Sequence, residues 1–375
     1  MGLIWFMPLV ALAQPTLDDR IAGLLYGAVI GDAAGGPDEF QSPERSLWTR
    51  EDTVLTSEGR AELAARFRLK PYTRRPNPES YGQWASNAPA GTITDDSRYK
   101  IMFFQSLNKA GKVDREAFAQ SLLAWYADST SQYGELPQLW LEEFAYAARW
   151  VLGERDHELA LPPERQWGGI PTMAGQMPFL PIATLVPGDP EIAYRLTWEI
   201  DFMDNGIGRD MNAALVAGLA EALGSNATWD SVADAMRTVD PYRFGKIDWV
   251  PRRLTRWLDK ASDFATRAEQ RPARLFQLFE EELQAETWWE AWVPMTIVFA
   301  CAEVAAYDPL ATMQLIMEFG RDTDSYMQVA GALFGALHGV EIFPRQMRDT
   351  IDIRLQEDYN ASIAEWMKTI QRTSR

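Results

Sequence analysis

The chain has 375 residues, one cysteine, two histidines and a formal net charge of −17. That length supports one large core or two smaller ones, and the acidity argues against non-specific binding to nucleic acid or anionic membranes while leaving room for a local basic pocket. Cys301 has no partner for an intramolecular disulfide and reads as a small core hydrophobe, and with only His157 and His338 available, zinc sites and histidine-based triads are disfavoured.

Met1 to Ala13 is a short apolar run ending in Ala11-Leu12-Ala13, a small-x-small cleavage pattern that lacks a basic n-region. It is too short to span a bilayer and reads as an export signal, which would place the mature chain in the periplasm or outside the cell. The alternative is a buried N-terminal segment on a cytoplasmic protein. No later segment reads as transmembrane.

Gly23, Gly27, Gly31 and Gly35 then recur every four residues, on one face of a helix. Glycine inside a helix costs about 1 kcal/mol against alanine, so the rib predicts a close, central helix crossing. Gly35-Gly36-Pro37 stops this helix, leaving Asp38 and Glu39 at the start of a loop. The stretch from Lys70 to Ala90 carries four prolines with Tyr72, Tyr81 and Trp84 between them. A loop of that length is read either as a substrate-side element or as a plain surface excursion.

Thr94-Asp95-Asp96-Ser97 follows and opens a helix whose apolar face includes Ile101, Phe104 and Leu107. One aspartate suffices as a cap; two adjacent ones repel each other and suggest a shared cation. Further helical spacing runs through Phe118-Leu122-Trp125-Tyr126 and from Ala213 to Leu223. Trp167 to Pro178 is a glycine-rich stretch whose Gly168 and Gly169 could offer backbone N–H groups to a diphosphate, or form an ordinary turn. Trp288, Trp289 and Trp292 share one helical region and read as packing residues.

Late in the chain, Asp322-Thr323-Asp324-Ser325 repeats the acidic turn, ahead of a second rib, Gly331, Gly335 and Gly339. His338 on that helix reads as a satisfied core histidine. Hard oxygen donors from two helix starts are what a Mg²⁺ or Mn²⁺ site needs. Strand-like alternation is scarce, and no linker divides the chain, so the sequence predicts one compact all-α bundle.

Gly31-Asp32-Ala33-Ala34-Gly35, Thr94-Asp95-Asp96 and Asp322-Thr323-Asp324-Ser325, in this order and followed by a small-residue helix, resemble the motifs of the ADP-ribosylglycohydrolases, the dinitrogenase reductase-activating glycohydrolase type included. The match runs over about residues 18–345, within a catalytic domain taken as 18–375. The resemblance implies an all-α bundle with two divalent cations, Mg²⁺ or Mn²⁺, held by Thr94, Asp95, Asp96, Asp322, Asp324 and Ser325. It places Glu39, with Asp95 and Asp96, at the catalytic centre. The substrate it implies is an ADP-ribosylated protein or ADP-ribosyl small molecule, hydrolysed at its glycosidic bond.

Two regions depart from the family pattern. The mid-chain histidine many members carry is missing from Ile200 to Gly206, where Asp204 and Asn205 stand as substrate-binding candidates beside Gly168 and Gly169. The glycine-rich loop also differs in pattern. Other readings are a metal-independent helical glycosidase using two carboxylates and a non-catalytic relative of crystallin type.

Overall fold

The computed structural model describes residues 14–72, 88–127, 138–245, 249–283 and 285–374. The proposed signal at residues 1–13 and most of the proline-rich loop, residues 73–87, lie outside the described residues.

Among the described residues the fold is all-α, with no sheet and a single isolated bridge between Thr172 and Glu290. The first six helices are α1 (Leu17–Gly35), α2 (Leu47–Arg50), α3 (Ser57–Arg66), α4 (Asp95–Ala110), α5 (Arg115–Ala127) and α6 (Gln138–Val151). Next come α7 (Gln176–Phe179), α8 (Pro190–Ile200), α9 (Gly206–Ala222), α10 (Trp229–Thr238), α11 (Arg253–Ala268) and α12 (Pro272–Glu282). The last five are α13 (Trp292–Val304), α14 (Pro309–Phe319), α15 (Thr323–His338), α16 (Arg345–Tyr359) and α17 (Ile363–Thr373).

Their boundaries follow local chemistry. Thr16 and Asp19 form a reciprocal capping box at the start of α1. Asp189-Pro190 and Asp308-Pro309 open α8 and α14, the aspartate capping and the proline filling the first helical position. Gly111, at φ 70°, ends α4 in the left-handed region that glycine tolerates.

The two glycine ribs face each other, so α1 and α15 run antiparallel at the centre of the molecule. A Cβ on Gly27 would lie 2.0 Å from the carbonyl oxygen of Gly331, and one on Gly335 would lie 1.9 Å from that of Gly23. Only glycine allows such an approach. Both helices are buried on nearly every side: α9, α13 and α14 pack on α15, and α16 and α17 on α1. At one end of the pair, a Cβ on Gly35 would lie 2.5 Å from the backbone nitrogen of Asp324. The end of α1 and the start of α15 therefore meet, and the start of α4 joins them.

Trp292 begins α13 and stacks on Trp257 at 5.3 Å, as a packing residue should. Trp288 and Trp289 are not helical; they lie in the half-buried loop ahead of α13. Cys301 is fully buried. His338 is not a core residue: it is the last residue of α15, exposed, with its ring near Phe334 where the helix leaves the core at Gly339.

Candidate metal centre

Three helix ends build the site. Thr94 caps α4, its hydroxyl accepting from Asp96 N at 3.2 Å. Asp32, one turn before the end of α1, grips the same cap from outside. Its Oδ1 accepts from Thr94 N at 3.0 Å and Thr94 Oγ1 at 2.6 Å, and its Oδ2 from Ser97 N at 3.1 Å. Thr323 Oγ1 donates to Gly35 O at 3.0 Å and ties the start of α15 to the end of α1. Asp96 is then held from α15, accepting from Ser325 Oγ at 3.1 Å and from Gln328 Nε2. Lys100, one turn behind Asp96 and almost fully buried, donates to Asp96 O at 3.1 Å and to Gln328 Oε1.

Five carboxylates converge as two triads. Oxygens of Asp32, Asp96 and Asp324 lie within 4.8 Å of one another, and so do oxygens of Glu39, Asp322 and Asp324. Asp324 belongs to both, and its Oδ1 is buried with no hydrogen-bond partner. Burial raises the pKa of Asp96, with Asp95 and Asp32 adding to it, and burial raises that of Asp324, with Glu39 and Asp96 adding. Asp322 is pushed up to about 7, chiefly by burial, and Asp95, half-buried at the rim, is also raised by burial. The starts of α4 and α15 favour negative charge, and Lys100 supplies one internal cation, but its own pKa is lowered by burial against the pull of the carboxylates. Clustered hard oxygens, one of them without a partner, fit a Mg²⁺- or Mn²⁺-type cation.

Backbone strain fixes the second triad. Glu39 follows the short 3₁₀ turn Gly36–Asp38. Phe40 and Arg321, the residues beside Glu39 and Asp322, both sit at positive φ, 48° and 71°. Phe40 N donates to Arg321 O at 2.7 Å, so each strained residue holds the other. Asp38 turns away and pairs with Lys70 Nζ at 2.6 Å. Tyr72 is buried close by: a Cβ on Gly36 would lie 2.1 Å from its hydroxyl. Burial raises the Tyr72 phenol, and Asp32, Asp324 and Glu39 add to the effect. The described ends of the proline-rich loop, joined by Tyr72 N to Ala88 O at 2.9 Å, therefore stand at the cluster.

The sequence matches the profile of the ADP-ribosylglycohydrolase family over residues 13–374. The chain belongs to the ADP-ribosylglycohydrolase family. It is 24% identical to the uncharacterized protein YegU of Escherichia coli (strain K12) over 356 residues, 91% of this chain and 94% of that protein. A solved structure described as an ADP-ribosylglycohydrolase-related protein complex superposes with a TM-score of 0.56 at 17% identity, covering 96% of this chain and 99% of the other, a likeness of fold.

Of the residues the ADP-ribosylglycohydrolase motifs nominated, Glu39, Thr94, Asp95, Asp96, Asp322, Asp324 and Ser325 all gather at the three helix ends. The other nominees lie apart. Asp204 is buried with both oxygens engaged: Oδ1 by Thr172 Oγ1, Oδ2 by Gly175 N at 2.6 Å and by Asn212 Nδ2. It anchors the segment 171–175, which pairs with Trp289 and Ala291 through Met173 N to Trp289 O at 3.1 Å and Ala291 N to Pro171 O at 2.9 Å. Trp289 in turn stands edge-on to Phe40 at 6.3 Å. Asn205 precedes α9 without capping it through its side chain. Gly168 and Gly169, at φ 67° and 88°, have open space where a Cβ would be. They connect to the cluster through rings: Trp167 is edge-on to Phe144 at 6.0 Å, and Phe144 to Tyr99 of α4 at 5.7 Å.

Sequence reasoning passed over Asp32, Lys100, Gln328 and Tyr72. Asp32 lies inside the Gly-Asp-x-x-Gly motif. Lys100 and Gln328 each follow a site aspartate by four residues, the spacing of one helical face. Tyr72 carried no such signal.

Proposed function

We propose that the chain is a divalent-cation-dependent glycohydrolase that cleaves the bond between ADP-ribose, or a related ribosyl group, and an acceptor side chain or other leaving group. The observation that carries this reading is the pair of carboxylate triads sharing Asp324. Asp32, Asp96 and Asp324 would hold one Mg²⁺ or Mn²⁺, and Glu39, Asp322 and Asp324 a second, with Thr94, Asp95 and Ser325 beside them. Bound there, such cations would supply a grip on sugar hydroxyls and a lowered pKa for a water.

The chain's own residues orient and deprotonate. Ser325 and Gln328 fix the two oxygens of Asp96. The paired backbones of Phe40 and Arg321 hold Glu39 and Asp322 in place. Glu39 is the least enclosed of the five carboxylates and so faces the entering substrate. It takes the proton of the attacking water and returns it to the leaving group as the glycosidic bond breaks, so water's two parts end on the sugar and the acceptor.

The test is hydrolysis of mono-ADP-ribosylated peptides, poly-ADP-ribose and free nucleotides with Mg²⁺ or Mn²⁺ added. Turnover that EDTA abolishes is expected. Turnover that survives EDTA would favour a metal-free carboxylate pair, and the absence of any turnover would favour a non-catalytic relative. We also propose that residues 1–13 direct export. The protein isolated from its native host should begin near Gln14, and an intact Met1 on cytoplasmic protein would overturn this.

A further inference from the structure

Beside the second triad lies a cleft of about 610 Å³ whose wall includes Phe40, Pro43, Arg45, Arg50, Phe319 and Arg321. Two of these residues are chain neighbours of proposed cation ligands: Phe40 follows Glu39, and Arg321 precedes Asp322. The cleft is thus the outer face of the backbone pair that holds the triad, one residue, about 3.8 Å of chain, away from it.

Its charges are unevenly matched. Glu280 takes Arg321 in a bidentate pair at 2.8 Å, and the Arg321 guanidinium also lies 4.6 Å over the Trp288 ring. Glu44 is drawn to Arg66 at 3.5 Å. Arg45 and Arg50 remain exposed, and among the described residues neither has a carboxylate within ion-pair distance. Arg45 lies 5.4 Å over the Phe276 ring, and Arg50 Nε reaches only the Ser46 carbonyl, at 3.4 Å.

The segment bearing both arginines is held rigidly from beneath. Glu318 of α14, fully buried, accepts from Ser46 N at 2.8 Å, from Ser46 Oγ at 2.7 Å and from Thr49 Oγ1 at 2.5 Å. Ser46 follows Arg45 and Thr49 precedes Arg50, so their backbones are fixed before any ligand arrives.

We propose that this cleft is the acceptor subsite, and that Arg45 and Arg50 read acidic side chains flanking the modified residue of a polypeptide substrate. A glycosidic bond seated at the triad would put its leaving group against Phe40 and the acceptor chain along the arginines. The glycine-rich loop instead reaches the cluster from the α4 side, through Trp167, Phe144 and Tyr99. With a net charge of −17 the molecule repels an acidic peptide at long range, so a preference for one can arise only from a local site of this kind. The inference rests on the glycohydrolase reading for its role, but not for its chemistry.

The experiment separates the two. Anisotropy titrations compare a fluorescent Asp/Glu-rich peptide with its Asn/Gln counterpart, on the wild type and on the double variant Arg45→Gln, Arg50→Gln. Matched ADP-ribosylated peptides and free ADP-ribose then give KM and inhibition constants. The wild type should favour the acidic peptide about tenfold in moderate salt, and the variant should lose most of that preference. Free ADP-ribose and neutral-flanked substrates should respond equally to both proteins. Equal binding of the two peptides by the wild type overturns the proposal. So does a variant whose loss falls on free ADP-ribose, which would make the cleft a diphosphate site. A wild type that keeps the acidic preference but turns over no ADP-ribosyl peptide supports the cleft's chemistry and overturns the hydrolase reading.

Discussion

Asp324 lends an oxygen to both triads, whereas each of the other four carboxylates serves one. Asp324→Asn should therefore abolish binding of both cations, and Asp96→Asn should weaken one, with helical circular dichroism nearly unchanged. Calorimetric titration with Mg²⁺ or Mn²⁺ measures this, and unchanged affinity in either variant overturns the assignment. Glu39 and Asp38 are neighbours with opposite fates: Glu39 joins a triad while Asp38 pairs with Lys70. Glu39→Gln should lower turnover by about 10²–10⁴-fold under saturating metal with ADP-ribose still bound, and Asp38→Asn should matter little. A larger loss at Asp38 would reverse the roles. The raised pKa of Asp322, about 7, sets a pH dependence. Without a cation, protonation of this carboxyl stabilises the fold at low pH, and that contribution is lost as pH rises through about 7. A cation must displace the proton, so metal affinity should fall as pH drops from about 8 to about 6 and binding should release protons. Affinity independent of pH over that range would show that Asp322 is ionised before metal binds.

At the scale of elements, the α1–α15 pair decides where the ligands stand. Helix propensity alone says that Gly27→Ala stabilises the fold by about 1 kcal/mol. The opposing Gly331 carbonyl says otherwise, because backbone cannot yield as a side chain can. Overpacking of this kind costs about 1–3 kcal/mol or more, so denaturant titration should show net destabilisation and calorimetry weaker metal binding. Gly218→Ala on α9 is the control. Its Cβ would meet side chains rather than backbone, with Met236 Cγ at 2.6 Å and Val232 Cγ1 at 3.3 Å, and should cost less than Gly27→Ala. The rib was legible because a four-residue glycine period has few explanations other than a close crossing. That each rib is the other's partner was not legible, since spacing on one helix carries no address for the next. Trp288 and Trp289 show the same limit: their spacing imitates a helix face, but the bridge at Glu290 and the pairing with Met173 hold them in a loop.

For the whole molecule, the all-α class and the acidic centre were readable because both depend on local pattern: helical periodicity and doubled aspartates at helix starts. Asp32 stands within its motif, but its role was not legible, as its capping of α4 depends on a contact between distant segments. The cleft of Arg45 and Arg50 left no trace in the sequence, because isolated surface arginines have no period. Tyr72 and Lys100 are similar: a buried phenol and a buried ammonium are defined by what surrounds them. Removing the cations should act globally, since the shared carboxylates join α1, α4 and α15. EDTA should lower Tm more at pH 8 than at pH 6, because protons replace part of the missing charge at the lower pH. Equal shifts at the two values would show that the carboxylates do not repel one another in the metal-free protein.

The meeting of Gly35 with Asp324 also dictates a schedule. Asp32 and Asp324 are about 290 residues apart, and ribosomes add about 5–20 residues per second, so the first carboxylate waits roughly 15–60 s for its counterpart to be made. Until α15 emerges, α1 has no glycine face to dock on. The nascent chain must keep its first helix from associating elsewhere during that interval. The acidic centre is therefore a late checkpoint in the life of the polypeptide, closed only when α15 has been synthesised.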